Sequence, residues 1–323
     1  MVLLSNNPWA TEDRHGLVDI GSHKLHISSS GRPRGPGDAV VLFSSGGGAP
    51  AVMYIRLQRM LRKHARVAFH DRSGYDRSDR GLHAILTAQQ AADDLKNLLA
   101  VIRVGPSYVL IGHSYGGICA RAFLEAVPSG SVTGMVLADT AFELMLVLHE
   151  PKIPHPSLEA IGAGIDFAEL TNLRAESALT YDEWRELLDA LERTQAAAKA
   201  EDNRGSAWTL AQAQQFRNHA LGPYPLVVIC CNPALDYRKL YEAVLQRGQG
   251  TEVERKEALH FIERFGLFLD IVAAAQLRLT DGDRLRKYVQ WLNVGHDDII
   301  RRPGLYVDQV LWVLEQQQMS RKA

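Results

Sequence analysis

Cysteine is scarce in this chain: Cys119, Cys230 and Cys231 are the only three in 323 residues. Two of them are adjacent, and neighbouring cysteines rarely bridge each other, so no disulfide framework is expected and a reducing, cytoplasmic setting fits best. A charge surplus is missing too, with 36 Lys and Arg against 37 Asp and Glu. Holding nucleic acid or a membrane surface through bulk electrostatics needs a basic excess, so neither is an expected partner. The short cluster Arg284-Leu285-Arg286-Lys287 reads as a solvated face. No apolar run approaches the roughly 20 residues that span a bilayer. The opening Met1-Val2-Leu3-Leu4-Ser5-Asn6-Asn7-Pro8 is too short in apolar residues, and too poor in basic ones, for a signal peptide. Neither Cys-x-x-Cys nor His-Glu-x-x-His occurs, so no metal is expected.

What is present is an ordinary globular composition, 46% hydrophobic, long enough for a large core. Segments 16–20 and 24–28 alternate as an antiparallel hairpin would. Continuous apolar runs follow at 39–43, 66–69, 108–111, 134–138 and 226–230, as in strands covered on both faces. Helical patterns at 51–62, 87–102 and 116–126 separate them, so the fold class is α/β with a mostly parallel sheet. The alternation stops after Thr140. Up to Leu221 only helical spacings recur, as in Trp184, Leu187, Leu188 and Leu191, or Leu210, Ala213 and Phe216. This divides the chain into a core of 1–140 and 222–323 and a helical cap of 141–221. A further helical stripe runs through Ala258, Phe261, Ile262, Phe265, Phe268, Leu269 and Val272, with Gly266 as its weak point. A last strand is expected at 288–294 and a closing helix at 306–316.

The run Tyr108-Val109-Leu110-Ile111 ends abruptly in Gly112-His113-Ser114-Tyr115-Gly116-Gly117. Gly-x-Ser-x-Gly between a strand and a helix reads as a nucleophile elbow, in which small flanking residues permit a strained turn that exposes the serine. The Tyr115 amide, at the helix start, is then placed to donate to an oxyanion. A serine hydroxyl is a poor nucleophile at neutral pH without a base, and the base needs an orienting acid. Of twelve histidines, His296 is the candidate base, because Gly295-His296 follows the last expected strand. His113 adjoins the serine and is expected to point away into the core, and His23 and His26 fall on opposite faces of a strand. Asp139, at the end of the 134–138 strand, is the preferred acid, with Asp236 as the alternative. Asp297 and Asp298 adjoin the histidine, where side chains diverge. A second oxyanion amide is expected from Gly46 or Gly47 in Ser44-Ser45-Gly46-Gly47-Gly48. That glycine turn has no following Gly-Lys-Ser/Thr and no Gly-x-Gly-x-x-Gly spacing, so neither a nucleotide nor any other cofactor is expected.

With these pieces in order the chain resembles the α/β-hydrolase superfamily, in the branch with a helical cap. The glycine turn, the elbow, Gly295-His296 and the segment His70-Asp71-Arg72-Ser73-Gly74-Tyr75-Asp76 carry the resemblance. It implies the α/β-hydrolase fold, with the Asp71-Arg72 loop structural and Asp76 standing where a glycine is frequent. Many members place the acid about nine residues after the proline corresponding to Pro225. This chain has Ala234 there, hence the preference for Asp139. A serine elbow disfavours the epoxide hydrolase and haloalkane dehalogenase branches. The expected activity is hydrolysis of a carboxylic ester, lactone or thioester of a hydrophobic small molecule. Carbon-carbon bond hydrolases, lyases, cyclases and binding proteins on the same fold are the rivals, and monomer and homodimer both stay open.

Overall fold

Alternation of side chains across one sheet organises the molecule. A computed structural model describes residues 7–148, 153–267 and 269–322. Its strands are β1 (Arg14–Asp19), β2 (Lys24–Gly31), β3 (Val40–Ser44), β4 (Arg66–His70), β5 (Tyr108–His113), β6 (Val132–Ala138), β7 (Leu226–Cys231) and β8 (Arg286–Trp291). They lie in the order β1-β2-β4-β3-β5-β6-β7-β8. The β1–β2 and β2–β4 pairs are antiparallel and the others parallel. The opening hairpin is longer than its alternation predicts, because Ser29, Ser30 and Gly31 continue β2 along β4.

Each central strand sends its two sets of side chains into two separate cores. Val40, Leu42, Leu110, Met135, Leu137 and Val228 pack under the Ala88–Val101 and Gly116–Ala126 helices. Val41, Phe43, Val109, Ile111, Val136 and Ile229 pack under Ile55–Leu61 and Pro303–Lys322. Each such side chain removed from water stabilises the sheet by about 1.5–3 kcal/mol. The Ala88–Val101 helix starts at a capping box, with Thr87 and Gln90 satisfying each other's backbone amides.

Between β6 and β7 the described elements are all helices, Glu143–Leu148, Pro156–Ile161, Phe167–Leu170, Leu173–Glu176, Tyr181–Ala200 and Asn203–Ala213, with isolated bridges at Glu201 and Gly222. Three more helices follow β7, Ala234–Gln246, Glu252–Phe265 and Leu269–Gln276. The stripe from Ala258 to Val272 is interrupted at its expected weak point, Gly266, which is the C-cap of its first helix. Phe268 of that stripe, and the terminal Met1–Asn6 and Ala323, lie outside the described residues. Leu158 and Ile161, before β7, share one apolar cluster with Val244, Ala258, Phe261, Ile262 and Phe265, after it. Both segments thus contribute to one layer. The last strand begins two residues earlier than expected and ends at Trp291, leaving 292–295 as the turn before His296.

Candidate active site

The chemistry-bearing residues gather where the parallel strands end. Ser114 follows β5 with φ 55, a left-handed conformation that costs a non-glycine residue energy. Its neighbours explain how the turn is held. A side-chain carbon on Gly112 would stand 2.6 Å from the Gly117 Cα, and one on Gly116 would collide with the Ser44 carbonyl. The Ser114 amide donates to Ala138 O at 3.3 Å, and its carbonyl accepts from Gly117 N and Ala141 N, each at 3.0 Å. The elbow is thereby fastened to the end of β6.

Asp139 leaves that strand end in a left-handed conformation of its own, φ 46. Its carboxylate is held by two donors: Cys231 N at 2.9 Å on Oδ1, and His296 Nδ1 at 2.5 Å on Oδ2. Burial opposes charge on His296, but the bond to Asp139 and the charges of Asp139, Asp297 and Asp236 outweigh it and raise the imidazole pKa from 6.5 to about 9. Asp236, the alternative acid, is buried in the first turn of the Ala234–Gln246 helix. Its carboxylate packs against Gly295 and pairs with Lys239 at 3.5 Å, with no hydrogen bond to His296. The structure thus brings Asp139, and not Asp236, to the ring.

His113 is buried, as expected, and it has partners there. Its ring stacks on that of His296 at 4.6 Å between centroids. Nε2 donates to the His296 carbonyl at 3.1 Å, while Nδ1 accepts from the Tyr54 hydroxyl at 2.9 Å. That hydroxyl in turn accepts from Gly46 N at 3.3 Å. Burial, then the charge of His296, lowers the His113 pKa to about 3, so it stays neutral and keeps one donor and one acceptor. A four-group chain therefore ties the glycine turn to the His296 loop.

Gly46 N is consequently occupied, whereas Gly47 N and Tyr115 N have no hydrogen bond among the described residues. Gly47, Tyr115, Ser114, Asp139 and His296 all line one cavity of about 340 Å³, otherwise walled largely by apolar residues such as Ile118, Met145, Ile153 and Val272. That is the size of a small-molecule site. Arg72, from the Asp71-Arg72 loop, braces the turn. It donates to Ser45 O at 2.7 Å, Gly46 O at 2.9 Å and the Tyr75 hydroxyl at 2.7 Å, and pairs with Glu201 at 2.8 Å. Asp76 takes φ 40 and binds Arg193, so an aspartate fills the left-handed position without loss of the loop. No local motif marks Tyr54, Glu201 or the role of His113 in the sequence. Among the described residues no cluster of His, Cys, Asp or Glu could hold a metal ion, and no helix is long and apolar enough to cross a membrane.

The model of the Alpha/beta hydrolase family matches residues 40–309. A Gibberella zeae protein named AB hydrolase superfamily protein is 28% identical, over 94% of this chain and 97% of its own length. The Hormonema carpetanum protein named Probable transporter efuK is also 28% identical over 98% of this chain, which spans only 45% of that protein's length. Among solved structures, a carboxylesterase of the Thaumarchaeon Nitrososphaera gargenis superposes with a TM-score of 0.57 at 15% identity, covering 95% of this chain and all of that one.

Proposed function

Because the chain belongs to the alpha/beta hydrolase family, we propose that it is a serine hydrolase of carboxylic esters, lactones or thioesters, with Ser114 as nucleophile, His296 as base and Asp139 as orienting acid. The observation that carries this reading is the 2.5 Å bond between His296 and Asp139 in the cavity that also holds Ser114 on its strained turn. Ser114 Oγ attacks the acyl carbon as His296 Nε2 takes its proton, and Asp139 keeps the other ring nitrogen protonated. The carbonyl oxygen, now an anion, is met by the Tyr115 and Gly47 amides, each supplying on the order of 3 kcal/mol. The imidazolium then protonates the departing alcohol or thiol. Water, deprotonated by His296, attacks the acyl-enzyme, and Ser114 leaves with the proton back.

Gly47 is chosen over Gly46 because the latter's amide is engaged by Tyr54. We further propose that the helices of 141–221 act as the cap, joined by those of 234–276 whose Tyr237, Phe265 and Val272 line the same cavity. A cytoplasmic location is proposed because all three cysteines are free and buried. The test is turnover of p-nitrophenyl esters of graded acyl length by the wild type and by Ser114→Ala. The wild type is expected to exceed the variant by about a thousandfold or more on its best ester. Equal rates for the two proteins on every ester overturn the reading.

A further inference from the structure

Two polar side chains in the cavity have no task in the mechanism above. The first is Tyr237, whose ring is held edge-on to Phe265 at 5.7 Å and tilted against Phe261 at 5.6 Å. A phenylalanine would satisfy those contacts equally. The Tyr237 hydroxyl makes no hydrogen bond to any described residue, although it lies among carboxylates. Burial, then the charges of Asp297, Asp139 and Asp236, raise its pKa, so it remains a neutral O–H. The side chain is half-buried on the cavity wall, and a ligand that covers the hydroxyl without giving it a partner binds at a cost.

The second is Asn203, the first residue of the Asn203–Ala213 helix. Capping does not explain it, because the neighbouring Asp202 already accepts from Gly205 N at 2.8 Å. The residue is exposed at the cavity wall, and its carboxamide has no protein hydrogen bond among the described residues. Its Nδ2 lies 3.9 Å from where a side chain on Gly47 would begin, so it stands beside the amide assigned to the oxyanion. The two groups come from the two segments that flank β7, and apart from the catalytic residues most of what lies around them is apolar.

We propose that Tyr237 and Asn203 are specificity residues that hydrogen-bond a second oxygen function of the substrate, a hydroxyl or carbonyl close to the scissile carbonyl. The ligand class is therefore an oxygenated ester or lactone on an apolar skeleton, not a plain aliphatic one. This rests on the serine-hydrolase reading of the same cavity and narrows it. The physical ground is an asymmetry. An apolar wall discriminates a missing methylene weakly, whereas polar groups that a bound ligand covers disfavour a ligand that leaves them unpaired.

The test separates binding from turnover. In Ser114→Ala, which cannot form an acyl-enzyme, dissociation constants of ethyl β-hydroxyoctanoate and ethyl octanoate are measured by calorimetry. The hydroxylated ester is expected to bind about tenfold tighter or more. The ratio should shrink when Tyr237→Phe or Asn203→Ala is added, and fall to about one when both are, with melting temperatures recorded to show that each variant is folded. A starting ratio near one, or a ratio that survives both substitutions together, overturns the inference. A ratio that behaves as expected, in a protein whose wild type turns over neither ester, would uphold the ligand class while removing the hydrolase assignment.

Discussion

Replacing Asp139 by asparagine should change the size of the catalytic loss with pH, and the structure gives the amounts. His296 has a pKa of about 9, against 6.5 without its surroundings, with the bond to Asp139 as the leading upward contribution. At about pH 6 only roughly a thousandth of the wild-type imidazole is neutral and able to act as base. Asparagine removes the charge, and burial then holds the pKa at about 6.5 or below, so roughly a quarter or more is neutral at that pH. Against this stands the loss of ring orientation and tautomer, worth about ten-thousandfold in kcat where this arrangement has been dissected in other enzymes. At about pH 10 both proteins are deprotonated and the full ten-thousandfold appears. At about pH 6 the two effects combine to roughly fortyfold. The assay is kcat/KM on one ester across this range, corrected for spontaneous hydrolysis. A wild-type to variant ratio that stays constant with pH, or a wild-type profile rising through about 6.5, refutes the reasoning.

Other consequences follow from the same contacts. His296 is held with a raised pKa, so the stability it contributes is fully present below pH 6.5 and lost as pH rises through about 9. The urea midpoint should fall across that window in the wild type and fall less in Asp139→Asn. Gly116→Ala drives a methyl into the Ser44 carbonyl, which should cost about 3 kcal/mol in urea unfolding and abolish ester turnover. Glu201→Gln leaves the buried Arg72 guanidinium without its counter-charge, with side chains only 5% and 4% exposed. A loss of about 3–5 kcal/mol in chemical denaturation is expected, and adding Arg72→Met should recover part of it.

The residues legible from sequence were those whose signal is local. Ser114 announces itself because a strand-to-helix turn this tight needs glycines on either side, and the structure shows the close approaches that demand them. Asp139 was legible because it follows directly on a strand end, which puts its carboxylate at the edge where Ser114 emerges. The unbroken apolar run Val40, Val41, Leu42 and Phe43 marks an inner strand, since a strand covered on both faces is apolar at every position. What escaped was long-range. The chain from Gly46 through Tyr54 and His113 to His296 crosses 183 residues at its last step, and the Arg72 pair with Glu201 crosses 129. No periodicity encodes such pairings. The edge strand β8 differs from its expected bounds by two residues at its start and three at its end, because its half-buried pattern lacks the continuous apolar run of the inner strands.

Intact mass measurement after incubation with a fluorophosphonate tests the central claim most directly, since the reagent phosphonylates only a serine activated by a neighbouring base. One adduct is expected, mapped by peptide sequencing to Ser114, absent in Ser114→Ala and formed far more slowly in His296→Ala. An unmodified wild type, or an adduct formed as fast without His296, would contradict it.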